Sequence, residues 1–586
     1  MSTNDWLLLN LESVYSDSVF HVLYNMCTYC ILMHWNPDIE LLRCFLPEFY
    51  MLFLIFLLLV YCVLSTFSNV PSDEKFMCWN TEMAIVNRIM RNKQLAGVKL
   101  VYAPTVWMYR WEKRRCEFKN ISGETAGRNI YGLSMLVVLC TLVLLCVFDS
   151  NIDLSNTPFS DIILLRTRFE SDTLVEFILL LISLIIFYVT YSYNKELGIA
   201  SFEYYILMLF SISSFCFFLH ATNIILLYVL IELQSISSYV LTSIRKINRY
   251  AVEAGLKYFI LGSFTSVILV FGFAILYGFS GLLHISELAI FVTYLHNEQV
   301  YVGFLHILFY ISLLCILIGF LFKIYASPFH FWVADIYQGS ATSVTIFLST
   351  IPVVAYVYVF IKLYVQVLSS FFIPEFNVLV WLAIFSMFSG IAGALVQKKI
   401  KKLIAYSSVT TIGYILASLS CHSILLVQYS LYYLFIYVFN ILPIFVLLIN
   451  YRINNVRTLD SMYCFTTLFY QNRWFLILFS SFFFSLAGVP PFAGFFSKLY
   501  IFTALGSGSF YVLLLLGICT ALLSCYYYLR VIKMAYYDYA NSSFFVSRIK
   551  YSHVYISVIL GILNVSFVFF TEVVEDVCLF ITLYIV

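Results

Sequence analysis

Apolar runs long enough to cross a bilayer follow one another along most of this chain, and short polar stretches separate them. They lie at roughly 48–66, 131–149, 174–193, 203–220, 222–243, 257–281, 303–325, 342–366, 375–396, 403–420, 424–450, 474–505, 510–535 and 552–574. A hydrocarbon core about 30 Å thick is crossed by about 20 apolar helical residues. The pattern therefore predicts an all-α polytopic membrane protein with about 14 transmembrane helices. The fourth and fifth runs are close, and His220-Ala221-Thr222-Asn223 supplies the turn signal between them.

Two runs are interrupted. One reads Lys323-Ile324-Tyr325-Ala326-Ser327-Pro328-Phe329-His330, the other Ala487-Gly488-Val489-Pro490-Pro491-Phe492-Ala493-Gly494. Proline removes a backbone donor and breaks a helix. Inside a membrane the freed groups need neighbouring protein or cavity water. A lysine accompanies each break, and the two broken runs stand five helices apart in the series. That arrangement predicts two inverted five-helix repeats, at 203–366 and 375–535. Around them lie an N-terminal surface segment (1–47), a first transmembrane helix (48–66), a polar basic insertion (67–130), peripheral transmembrane helices (131–202), and a C-terminal transmembrane helix and tail (536–586).

Composition agrees. The chain is 62% hydrophobic and 11% charged, against about 25% charged in soluble domains. A net charge of +2 gives no electrostatic footprint for nucleic acid. Counting helices from the start puts the insertion, Arg245-Lys246 with Arg249, Lys398 to Lys402, and Arg452 with Arg457 on one face. The positive-inside rule makes this the cytoplasmic or matrix face and places both termini on the other. The first 20 residues carry Asp5, Glu12 and Asp17 and no basic residue, so no cleavable signal peptide is predicted. Cys27 and Cys30 form a lone CxxC, too little for a metal site. Phosphate-cradling glycines, iron–sulfur spacing and a haem pair are missing, so neither cofactor binding nor redox chemistry is expected of this chain.

The candidate chemistry lies in buried charge. Glu232 interrupts the run Ile224 to Leu233, where a charge costs about 2.5–3.5 kcal/mol at mid-bilayer. Lys323 and Lys498 stand inside two other runs. A buried lysine beside a carboxylate can exchange a proton whenever its partner moves, so these three are the expected proton relay. Lys257 is i+4 from Glu253, the order that favours a helical ion pair; opening its run, it is either a further member of the relay or an interfacial lysine. His330 and Asp335 lie just past the first break; they gather protons at the basic face or cap the helix end. Lys362 ends its run and is expected to snorkel, and Glu48 to sit at the interface. The hydroxyls of Tyr406-Ser407-Ser408 are placed to support a water chain.

Several of these stretches resemble a known family. They are Ile231-Glu232-Leu233-Gln234-Ser235, Glu253-Ala254-Gly255-Leu256-Lys257-Tyr258, Pro328-Phe329-His330-Phe331-Trp332, Lys401-Lys402-Leu403-Ile404-Ala405-Tyr406-Ser407-Ser408 and Leu486-Ala487-Gly488-Val489-Pro490-Pro491. Together they resemble the chain 2 family of NADH:ubiquinone oxidoreductase (respiratory complex I), its antiporter-like proton-pumping membrane subunits, over about residues 41–540. The resemblance implies 14 helices, two inverted repeats and a polar axis at mid-membrane. In it Glu232 is the essential glutamate, Lys323 its ion-paired lysine and Lys498 the lysine of the second broken helix.

The same resemblance implies neighbouring membrane-arm subunits as partners, with accessory subunits on 67–130. It places FMN, iron–sulfur clusters and ubiquinone elsewhere in the complex. It also implies the mitochondrial inner membrane, with a bacterial plasma membrane as the other location. Two positions depart from the family pattern: Val353, after Pro352, replaces a lysine, and Thr411 replaces a histidine. Water held by Tyr, Ser and Thr hydroxyls would bridge that gap, or Lys362 would lean in. Otherwise the chain is a non-pumping structural subunit. A stand-alone monovalent cation/proton antiporter is the other alternative.

Overall fold

A computed structural model describes residues 46–68, 129–146, 169–197, 202–246, 248–297, 303–369, 378–421, 423–450, 473–537 and 551–585, with a few positions between them. The Cys27–Cys30 pair and nearly all of the 67–130 insertion lie outside the described residues. Each apolar run holds helix. In chain order these are α1 Leu46–Ser68, α2 Asn129–Cys146, α3 Phe169–Glu196, α4 Phe202–Leu219, α5 Ile224–Thr242 and α6 Arg249–Ser280. Then come α7 Ile285–Asn297, α8 Gly303–Lys323, α9 Phe331–Gly339, α10 Thr342–Leu363, α11 Val378–Val396 and α12 Ile400–Leu419. The last are α13 Ile424–Asn450, α14 Arg473–Ala487, α15 Ala493–Ser507, α16 Tyr511–Tyr536, α17 Tyr551–Ser566 and α18 Thr571–Ile585. Among the described residues ten helices are long and apolar enough to cross a membrane, or eleven if a bent pair counts as one span.

That bent pair corrects the expected last span. The run 552–574 is not one straight helix: α17 stops at Ser566, a 3-10 turn covers Phe567–Phe569, and α18 leaves at 88°. Packing explains the turn. Cys578, Ile581 and Ile585 of α18 are buried, Gln428 of α13 donates to the Glu575 carbonyl at 2.9 Å, and Gln366 donates to the Ile585 carbonyl at 3.3 Å. The C-terminal tail is thus bound into the body.

Burial sorts the helices into layers. Of the most apolar window, 94% is buried in α10 and 89% in α12 and α13, against 33% in α6 and α16. Helices apolar all round belong in the interior, and those with an open side face lipid. Inside, hydroxyls turn back on their own helices: Ser407 donates to Ile404 O, Ser408 to Ala405 O and Thr411 to Ser408 O, at 2.6–2.8 Å. Such back-bonding satisfies a polar side chain where water is scarce.

Contacts between loops fix the two faces. Lys401 donates to Ser340 O, Lys402 meets Asp335, and Met462 N bonds Lys398 O, so the basic loops gather around the start of α10. At the other end Asn223 bridges His284, joining the α4–α5 and α6–α7 turns.

The second break depends on two glycines. Gly488 takes a φ of +85° as the chain leaves α14, a conformation that costs glycine little. Gly494 lies so close to α14 that an added Cβ would fall 1.8 Å from the Ser485 carbonyl oxygen. Backbone cannot yield there cheaply, and overpacking usually costs about 1–3 kcal/mol or more. Gly494→Ala should therefore sharply reduce the amount of folded chain in membranes. A melting curve of the detergent-extracted protein would check this, with Gly278→Ala, which meets open space, as the control.

Candidate functional site

At the first break α8 ends at Lys323, and its orphaned carbonyls are met locally. Ile324 N bonds Phe320 O, Ala326 N bonds Leu321 O, and the Trp332 indole donates to Phe322 O at 3.3 Å. Trp332 stacks on Tyr258 at 4.8 Å, and Tyr239 meets Tyr258 edge-on at 4.7 Å. Lys323 Nζ lies in this aromatic setting, 6.0 Å from the Tyr239 ring centre. It is buried, with no hydrogen-bond partner and no ion pair among the described residues.

Glu232 lies two turns before Tyr239 on α5. It acts on Lys323 electrostatically, but the expected ion pair is not closed: the two are beyond salt-bridge distance. Ser235 donates to the Glu232 carbonyl at 2.8 Å and to Oε2 at 3.4 Å, while Oε1 is buried without a hydrogen bond.

At the second break Lys498 points back from α15 to the end of α14. Its ammonium donates to Leu486 O at 2.9 Å, Ala487 O at 3.0 Å and Ser524 Oγ at 3.5 Å. A cation is favoured there, because the last carbonyls of a helix lack partners and carry the negative end of its dipole. The opposite half-helix is met by Asn564 of α17, which accepts from Ala493 N and donates to Asn440 of α13. Beside Lys498 a cavity of about 10 Å³, bordered by Thr411, Tyr433, Tyr437 and Asn440, holds space for one water.

Tyr437 also faces the first break. Its hydroxyl lies with those of Tyr325 and Tyr337, and none of the three makes a well-formed hydrogen bond. Tyr325 sits at a φ of +50° just after Lys323. Tyrosines therefore occupy the space between the two lysines. Val353 is buried in α10, and Thr411 borders the Lys498 cavity.

The other expected residues lie at the basic face. Lys257 is half exposed, paired with Glu253 at 2.8 Å and with Asp335 at 3.3 Å. Asp335 also takes Lys402 at 2.8 Å. His330 is buried against Phe331 and Tyr406, its Nδ1 without a partner.

Lys362 and Glu48 correct the sequence reading. Lys362 does not snorkel: it is buried and donates to Asp172 Oδ2 at 2.7 Å. Glu48, expected at the interface, is enclosed by protein, 3.7 Å from His220 Nε2. Asp172 and Glu176 are not among the candidates that the sequence offers, and His220 enters there only as part of a turn. The available signal is the i,i+4 pair Asp172 and Glu176 opening an apolar helix, although the apolar run itself starts only at 174.

Residues 221–524 match the family described as NADH:quinone oxidoreductase/Mrp antiporter, TM. The chain is 36% identical over 414 residues to NADH-ubiquinone oxidoreductase chain 2 of Marchantia polymorpha, covering 70% of this chain and 82% of that one. It is 37% identical over 342 residues to NADH-quinone oxidoreductase subunit N of Wolbachia sp. subsp. Brugia malayi, covering 58% and 70%. In fold it is similar to a chain of respiratory complex I from Thermus thermophilus, with a TM-score of 0.62 and 23% identity, covering 77% of this chain and 94% of that one.

The Lys498 ammonium fastens the second break by hydrogen bonds that each contribute on the order of 1.5–3 kcal/mol when one partner is charged. Lys498→Met should lower the melting midpoint of the detergent-extracted protein, and Lys498→Arg should recover part of it. A midpoint unchanged in Lys498→Met would mean the carbonyls do not depend on this side chain.

Proposed function

This chain belongs to the NADH:quinone oxidoreductase/Mrp antiporter membrane family, and we propose that it is a proton-translocating membrane-arm subunit of an NADH:ubiquinone oxidoreductase. Redox chemistry takes place elsewhere in that complex, and the mitochondrial inner membrane is its location. The observation that carries the proposal is Lys323: an amine buried near Tyr239, with no hydrogen bond or ion pair among the described residues and Glu232 as an open electrostatic partner. A structural lysine would be paired; an unpaired one in low dielectric is poised to lose or gain a proton.

The mechanism follows from that geometry. Protons collect at the basic face near His330 and Asp335 and load Lys323. Closing the Glu232–Lys323 gap holds the charge: at 4 Å and an effective dielectric constant near 20, the attraction is about 4 kcal/mol. Moving one charge against 100 mV costs about 2.3 kcal/mol. Opening and closing this contact therefore supplies the needed scale, provided redox events elsewhere in the complex move α5 against α8. Once released, the proton passes along Tyr325, Tyr337 and Tyr437, with Thr411 and a water beside them, toward Lys498. Those hydroxyls take the place of a lysine at 353 and a histidine at 411.

A stand-alone cation/proton antiporter shares this axis. Identity above 30% runs to redox-complex subunits, which favours the first reading. In closed vesicles carrying the assembled complex, Lys323→Met and Glu232→Gln should each lower the protons moved per NADH oxidised, while Lys257→Met should leave the ratio within error. An undiminished ratio in both of the first two variants would refute the relay.

A further inference from the structure

Away from that axis, five charged or titratable side chains are buried together where α1, α3, α4 and α10 meet. Glu48, Asp172, Glu176, His220 and Lys362 are each at least nine-tenths buried. They form a connected series. Lys362 Nζ donates to Asp172 Oδ2 at 2.7 Å; the same Oδ2 lies 4.0 Å from His220 Nδ1; His220 Nε2 is 2.9 Å from Glu176 Oε2 and 3.7 Å from Glu48 Oε1. The two ring nitrogens thus face different carboxylates. An imidazole so placed can take a proton on one nitrogen and give one up from the other. Among the described residues Tyr358 and Cys216 are further titratable neighbours: the Tyr358 hydroxyl donates to Asp172, and Cys216 faces Glu176 and Glu48.

The position in the membrane is fixed by chain direction. Glu48 opens α1, Asp172 and Glu176 lie in the first turns of α3, and His220 follows the end of α4. Lys362 is in the last turn of α10, whose start is held at the basic face by Lys401 on Ser340. Twenty residues of helix rise about 30 Å, so the series lies by the opposite face.

We propose that these five residues form a proton-releasing station at the face opposite the basic loops. Lys362 gives its proton to Asp172. His220 accepts it at Nδ1, once a side-chain shift or one water closes the 4.0 Å step, and yields its Nε2 proton to Glu176 or Glu48, from which it leaves. Each transfer breaks one N–H or O–H bond and makes one; the imidazole ends with its proton on Nδ1, so the station is restored once a ring flip returns that proton to the Nε2 side and Lys362 is reprotonated. The proposal rests on the chain being a pump.

The test uses the assembled complex in closed vesicles, reading protons moved per NADH oxidised. Lys362→Arg keeps the ion pair with Asp172 but cannot deprotonate. It should assemble and lose as large a share of the proton yield as Lys323→Met. The double variant Asp172→Asn with Lys362→Met removes both charges together, which spares assembly where one lone charge would not, and should show the same loss. Full yield in Lys362→Arg, or in the double variant, would reduce the series to a structural ion network. Full yield in Lys323→Met instead would overturn the pump reading itself.

Discussion

Every polar feature here answers to one constraint: a charge or a backbone group in a low-dielectric interior must find a partner or act as a proton carrier. The two helix breaks show how the constraint is met. At each, carbonyls freed by proline are taken by side chains from other parts of the chain: Trp332 at the first, and Lys498 at the second, where Asn564 meets the facing N-terminus. The contrast between the lysines follows. Lys498 is fully engaged by carbonyls, whereas Lys323 has only aromatic faces and a distant carboxylate. One is fixed in place and the other is left to respond.

Much of this was legible in the sequence. Helices fill each apolar run, because sustained apolarity over about twenty residues has few other solutions in lipid. Glu232, Lys323 and Lys498 announced themselves as charges inside such runs, and the i,i+4 spacing foretold the Glu253–Lys257 pair. Basic loops gathered on one face as the charge asymmetry implied.

The rest was hidden for physical reasons. Whether Glu232 touches Lys323 depends on the rotation of α5 against α8, which spacing along the chain does not encode. Lys362 reads as a snorkelling residue because its partner, Asp172, is 190 positions away and precedes the apolar run that opens at 174. The elbow between α17 and α18 arises from Gln428 and Gln366 seizing main-chain carbonyls, and glutamine in an apolar run carries no sign of which carbonyl it will hold. The hydroxyls of α12 were legible as polar positions, but their donors are spent on their own helix, which leaves the tyrosines of α9 and α13 nearer the axis.

Between the aqueous face and Lys323 stands α9, nine residues long. Its middle is moored through Asp335 to Lys257 and Lys402, groups partly open to solvent, while its first turn is wedged by Trp332 among aromatic rings. Ionic strength on that side alone loosens the mooring, since exposed pairs are screened over about 8 Å at physiological salt, and leaves the wedge untouched. The short helix is in effect a strut with one soft footing and one hard one, so a neighbouring subunit leaning on the surface would tilt it about Trp332 and alter the dielectric surroundings of the amine without ever reaching it.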